Sequence, residues 1–120
     1  YRPDPAVLEF AKGCGDRFTL TEDCAAAAKD ADVIFTDVWA SMGQEGEAEK
    51  RRIAFAGYQV NAELLAAARP DCMVQHPLPA HRGEEIAPDV LEGHMEEIFD
   101  EAENRIYVEK AVLAILLAGK

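Results

Sequence analysis

Apolar residues recur at helical spacing near the start of the chain, where Val7, Phe10, Ala11 and Cys14 follow Asp4 and Pro5. Asp4 suits an N-cap, Pro5 suits the first helical position, and Gly13 and Gly15 end the run, so a short amphipathic helix is predicted. Residues 17–20 are β-prone between turn signals and predict a strand. Thr21 is then the expected cap of an Ala-rich helix over 22–29, acidic at its start and basic at its end as the helix dipole prefers. Val33-Ile34-Phe35-Thr36 is a continuous β-branched and aromatic run, too short for a helix, and reads as a strand buried on both faces. A polar loop over 37–46 follows, then a charged helix over about 47–55 in which Glu47 and Arg51 lie four apart. Asn61 caps another helix through Ala68, and Pro70 ends that segment. Cys72-Met73-Val74-Gln75 is the next strand. The loop after it holds Pro77, Pro79, Gly83 and Pro88 and predicts irregular structure. Ile98-Phe99 suggests a last brief strand, and Asp100 with Glu103 resembles a capping box opening a long helix through Ala118.

This alternation implies an α/β fold: a partial Rossmann-like parallel sheet flanked by helices. In such sheets ligands bind beyond the carboxyl ends of the strands. The loops 37–46 and 76–88 both follow strands, so both should emerge on that one edge. The first helix has no preceding strand to pack on, and the chain starts at Tyr1. A truncation at the N-terminus is therefore expected, with residues 1–120 forming most of a domain plus a C-terminal helix.

Composition narrows the partners. The 120 residues carry 12 Lys plus Arg against 23 Asp plus Glu, a formal charge of -11, so the overall field repels phosphate backbones and anionic lipid. Neither nucleic acid nor a membrane surface is an expected partner. The longest apolar run, residues 111–118, is far short of the roughly 20 residues that span a bilayer. Cys14, Cys24 and Cys72 form no CxxC pair and sit in apolar stretches, as reduced core cysteines do, so a cytoplasmic protein with no disulfide and no zinc site is expected. Gly13-Cys14-Gly15 lacks the third glycine of a dinucleotide loop, and His76, His81 and His94 have no compact metal-ligand spacing.

Candidate chemistry gathers in the two loops. Asp37 stands first after the 33–36 strand, where a carboxylate can accept from a substrate amine and handle its proton. An isolated Asp there is more often a turn residue bonding its own backbone. The neighbours change the balance: Trp39 lies in the same loop, and Ser41-Met42-Gly43 adds a hydroxyl, backbone amides and a flexible glycine. In His76-Pro77-Leu78-Pro79 the prolines fix the backbone and supply no donors, leaving a rigid row of carbonyls suited to an NH2 group, or simply a stiff turn in which either proline could be cis. Arg105, early in the expected last helix, works against the dipole unless an anion docks nearby; an ion pair with Glu101 or Glu109 accounts for it equally well.

Together, the stretch Asp37-Val38-Trp39-Ala40-Ser41-Met42-Gly43-Gln44-Glu45, then Tyr58-Gln59-Val60, His76-Pro77-Leu78-Pro79 and Glu101-Ala102-Glu103-Asn104-Arg105 resembles the C-terminal, ornithine-binding domain of the ornithine carbamoyltransferases. The match runs nearly end to end, and the order and spacing of four blocks are far more specific than any one. The resemblance implies that the carbamoyl-phosphate domain, with its Ser-x-Arg-Thr-Arg signature, is absent from this chain. It implies ornithine contacts at Asp37, Ser41 and Met42, carbamoyl-phosphate contacts at Pro77, Leu78 and Arg105, Asp37 as the catalytic group, no metal and no organic cofactor. It also implies a homotrimer, and carbamoyl transfer to the δ-amine of L-ornithine, giving citrulline in arginine biosynthesis.

One position departs from the pattern. The family usually has Cys as the second residue of this His-x-Leu-Pro block, with a part in proton handling; Pro77 has no thiol. The His-Pro-Leu-Pro form resembles the aspartate carbamoyltransferases, whose chemistry needs no cysteine. Those enzymes grip a second carboxylate with Arg and Gln where this chain has Ser-Met-Gly, and the putrescine carbamoyltransferases lack Ser-Met-Gly. Both remain as alternatives, as does a non-catalytic small-molecule-binding module on the same scaffold.

Overall fold

Two short strands, β1 (Val33–Phe35) and β2 (Met73–Gln75), pair in parallel at the centre of the computed structural model, which describes residues 1–118. The register sets Val33 opposite Met73, Ile34 opposite Val74 and Phe35 opposite Gln75. Val60 continues the layer as a single parallel bridge to Ile86: its N–H donates to the Glu85 carbonyl and its own carbonyl accepts from Ala87 N–H, each at 2.9 Å. The element order is α1 (Pro5–Lys12), a 3-10 turn at Gly15–Arg17, α2 (Cys24–Ala28), β1, a 3-10 turn at Glu45–Glu47, α3 (Ala48–Ala54), α4 (Ala62–Leu65), β2, α5 (Pro88–Gly93) and α6 (Met95–Ala118). This is the expected α/β alternation with parallel pairing across a crossover.

Local chemistry explains the boundaries. Asp4 caps α1 by accepting from Ala6 N–H at 2.7 Å, with Pro5 at the first helical position. Asn61 caps α4 through Leu64 N–H at 2.9 Å, although that helix stops at Leu65 rather than Ala68. At α2 the cap is Asp23, which accepts from Ala26 N–H; Thr21 instead accepts from Asp23 N–H one step upstream. Residues 17–20 form no strand. Arg17 closes the 3-10 turn and residues 18–20 lie outside the sheet with Phe18 and Leu20 exposed, since β-propensity without a pairing edge makes no strand. The loop after β2 is shorter than expected because Pro88 opens α5 from its first position, as Pro5 opens α1.

The largest correction concerns α6. It begins at Met95, so Ile98-Phe99 is helical and the Asp100–Glu103 pattern is internal. Ile98 is fully buried against Val74, Ile86, Val90 and Leu91, the centre of the core. Glu97 accepts from the buried Val74 N–H at 2.7 Å and so caps β2 on the edge away from β1; the same oxygen meets His94 Nδ1. From residue 103 onward every position of α6 is exposed, including Tyr107, Val108, Val112, Leu113, Ile115, Leu116 and Leu117. The radius of gyration is accordingly 16.6 Å, against about 14 Å for a compact chain of this length. Only Cys72 of the cysteines reaches the core, Cys14 and Cys24 being half-buried. No helix among the described residues is long and apolar enough to cross a membrane.

Candidate active site

The parallel register sends the chain out of β1 and β2 at the same end of the sheet, and the hydrogen bond from Thr36 N–H to the Gln75 carbonyl, 3.0 Å, extends the pairing to the last residue before both loops. Between the loops lies an open cavity of about 470 Å³. Asp37, Ser41 and Met42 form part of its wall from the first loop, Pro77 and Leu78 from the second, and Arg105 from α6. All six residues to which the resemblance gives substrate contacts therefore line one cavity.

The first loop is a built turn. Asp37 Oδ1 accepts from Val38 N–H at 2.7 Å, the self-capping bond of a turn aspartate, which fixes the carboxylate at the mouth of the cavity. Gln44 clamps the other side: its N–H donates to the Ser41 carbonyl at 3.0 Å while its Oε1 accepts from Ser41 N–H at 3.1 Å. Gly43 inside this turn has φ +85°, a conformation that a Cβ disfavours. Met42 projects from the turn almost wholly into solvent, 95% exposed, which is unusual for a side chain of its kind unless something covers it.

Trp39 is a correction. Its ring stacks on Phe55, the C-cap of α3, with centroids 6.3 Å apart, in a cluster that also holds Tyr1 and Tyr58, and it does not line the cavity. Its carbonyl accepts from Arg51 Nη1 at 3.2 Å. The indole thus anchors the loop to α3 rather than touching a ligand.

The second loop turns at Leu78, which has φ +51° and is followed by a cis bond to Pro79. His76 and Glu85 are fully buried and meet at 3.0 Å, Nε2 to Oε1. Leu78 N–H donates to His76 Nδ1 at 2.9 Å, and His81 N–H donates to Glu85 Oε1 at 2.6 Å.

Sequence reasoning missed Arg52, His81 and Glu84, all on the cavity wall. Arg52 of α3 bonds Glu84 of the second loop at 2.9 Å and Glu49 of its own helix at 2.5 Å, tying α3 to the second loop; these carboxylates, Glu84 foremost, raise the guanidinium pKa above its ordinary value. Only the Glu49 contact, at helical spacing, left a trace in the sequence. Among the described residues His81, Glu84 and Glu85 are the group that could converge on a cation, but Arg52 and the buried His76 already engage the two carboxylates. Arg105 sits ten residues into α6 rather than early in it, so the helix-dipole reading fails; its guanidinium is 4.0 Å from Glu109 and largely exposed. It lines the cavity from the exposed part of α6, beyond the turns that pack on β2.

The cavity therefore has the Asp37 loop on one wall, the proline-fixed turn of Pro77, Leu78 and Pro79 on another, and Arg52 and Arg105 among its lining residues. Residues 1–116 match the family model described as aspartate/ornithine carbamoyltransferase, Asp/Orn binding domain. The chain belongs to that family. It is 51% identical to an ornithine carbamoyltransferase of Thermococcus kodakarensis and 53% identical to one of Methanosarcina acetivorans, over 99% and 98% of its length, and it spans 39% of each. Crystal structures of the anabolic ornithine carbamoyltransferase of Campylobacter jejuni (TM-score 0.92, 38% identity) and the Pyrococcus furiosus enzyme (0.87, 50%) cover all of this chain; it covers 41% and 40% of theirs. The fold of this carbamoyltransferase domain is thus the truncated Rossmann-like arrangement expected from the sequence.

Proposed function

We propose that the protein containing this domain transfers the carbamoyl group of carbamoyl phosphate to the δ-amine of L-ornithine, giving L-citrulline and phosphate. The observation that carries the reading is the convergence of Asp37, Ser41 and Met42 with Pro77, Leu78 and Arg105 on one cavity. The δ-ammonium has a reference pKa of about 10.4, so deprotonating it at pH 7 costs roughly 4 to 5 kcal/mol. Asp37 holds that nitrogen and helps it lose the proton, while Ser41 and Met42 grip the α-amino acid end. The neutral amine attacks the carbamoyl carbon and a C–N bond forms; the tetrahedral intermediate then breaks its bond to the phosphate oxygen, which leaves with the electron pair and takes the second proton of the attacking nitrogen, so that the ureido nitrogen keeps one hydrogen. The Leu78 carbonyl accepts from the carbamoyl NH2, and Arg105 stabilises the oxygen on which charge develops. Pro77 contributes backbone rigidity in place of a thiol.

The remaining wall of the site belongs to a carbamoyl-phosphate-binding domain outside this chain. The apolar residues exposed on 103–118 of α6 supply a surface for it. On family grounds we take the intact protein to be a cytoplasmic homotrimer serving arginine biosynthesis. The test is to assay the intact protein side by side with ornithine, putrescine and aspartate. Ornithine is the expected acceptor. A preference for putrescine or aspartate reassigns the substrate, and no transfer to any of them favours a binding module.

A further inference from the structure

We infer that His76 is a positioning residue that holds the Leu78 carbonyl on target, and that buried Glu85 keeps its ring in the one tautomer able to do so. This rests on the reading that Leu78 binds the carbamoyl NH2. Leu78 has φ +51°, a conformation that residues other than Gly, Asn and Asp avoid, so its backbone needs an external hold. Pro77 and Pro79 have no N–H with which to supply one. The Leu78 N–H donates to His76 Nδ1 at 2.9 Å, which requires a bare lone pair on Nδ1 and places the ring proton on Nε2. That proton points at Glu85 Oε1, 3.0 Å away. The same oxygen accepts from His81 N–H at 2.6 Å, so one buried carboxylate pins the segment at both ends of its turn. Moving the proton to Nδ1 would set donor against donor at Leu78 and free the carbonyl to swing.

Asn and Gln at position 76 separate the two halves of this linkage. The amide oxygen of Asn falls near the Nδ1 position and keeps an acceptor for Leu78, whereas the Gln amide reaches the Nε2 position, keeps a donor for Glu85 and leaves Leu78 N–H without its partner. In the intact protein, His76→Gln is expected to raise the KM for carbamoyl phosphate about tenfold, the scale of one lost buried hydrogen bond, with faster amide hydrogen exchange in the peptide 77–81. His76→Asn should stay closer to wild type in both. If the two variants shift KM and exchange equally, His76 is merely a core residue and the inference is overturned. Neutron diffraction of the wild-type protein tests it without any substitution: a proton on Nε2 with bare Nδ1 is expected, and a proton on Nδ1 refutes it. Should the wild type transfer nothing to ornithine, the functional reading fails, while the exchange and neutron results still decide whether His76 holds Leu78.

Discussion

Replacing Asp37 by Asn isolates the charge at the mouth of the cavity from the fold around it. Asn Oδ1 can still accept from Val38 N–H, the 2.7 Å bond that shapes the start of the loop, so the turn should survive. What disappears is the attraction between the carboxylate and the δ-ammonium of ornithine. Two unit charges about 4 Å apart gain about 1 kcal/mol in water and about 4 kcal/mol near a protein surface with an effective dielectric of 20. Asp37 is exposed in this chain and would be partly shielded once substrate and the remaining domain are in place, so an intermediate value of about 2 kcal/mol is appropriate. At 1.4 kcal/mol per factor of ten that is a loss of roughly thirtyfold in kcat/KM for ornithine. The assay is citrulline formation by the intact protein at saturating carbamoyl phosphate, with thermal unfolding as the control. An Asp37→Asn protein with normal stability and kcat/KM within about threefold of wild type would refute the role given to Asp37.

Other expectations follow from single contacts. Glu97→Ala strips the buried Val74 N–H of its acceptor and should cost about 1 to 3 kcal/mol of stability in denaturant unfolding of the intact protein; a change within error would show that water takes over the bond. Met42→Ala should raise the KM for ornithine about fivefold and leave that for carbamoyl phosphate unchanged, since a Met that packs on a ligand loses about 1 kcal/mol of burial when cut back. An equal rise for both substrates would contradict a contact confined to the amino acid. Burial pushes the Cys72 thiol pKa up, so less of it is thiolate at any pH near 8, and it should react with a thiol reagent more slowly than Cys14 and Cys24. Labelling of Cys72 at the same rate as the other two would count against that environment.

What could be read from the chain, and what could not, divides along physical lines. The β1 run, the Asp4 and Asn61 caps and the shared edge of the two loops are local or periodic features, and each appears in the structure, although β1 is not buried on both faces: Val33 and Ile34 are half-buried and Phe35 is exposed. The start of α6 was legible in principle. Met95, Ile98, Phe99 and Ala102 recur at three and four residues, and the β-prone look of Ile98-Phe99 concealed it. Placing that start at Asp100 also set Arg105 too early in the helix. The Trp39 and Phe55 stack and the Arg52 and Glu84 pair join residues on different elements, and the buried His76 and Glu85 pair joins the two ends of one irregular loop. Such pairs leave no period or spacing in one sequence, so the loop residues that complete the cavity emerge only once the sheet brings them together.

The most direct measurement is a crystal structure of the intact protein with citrulline and phosphate bound. The ureido group of citrulline carries both the nitrogen that attacks and the NH2 that arrives with the carbamoyl group. The account predicts the δ-nitrogen within about 3.2 Å of an Asp37 oxygen, the terminal NH2 on the Leu78 carbonyl, and the α-amino acid end against Ser41 and Met42. Citrulline seated away from this cavity, or with its ureido group turned from both Asp37 and Leu78, would contradict it.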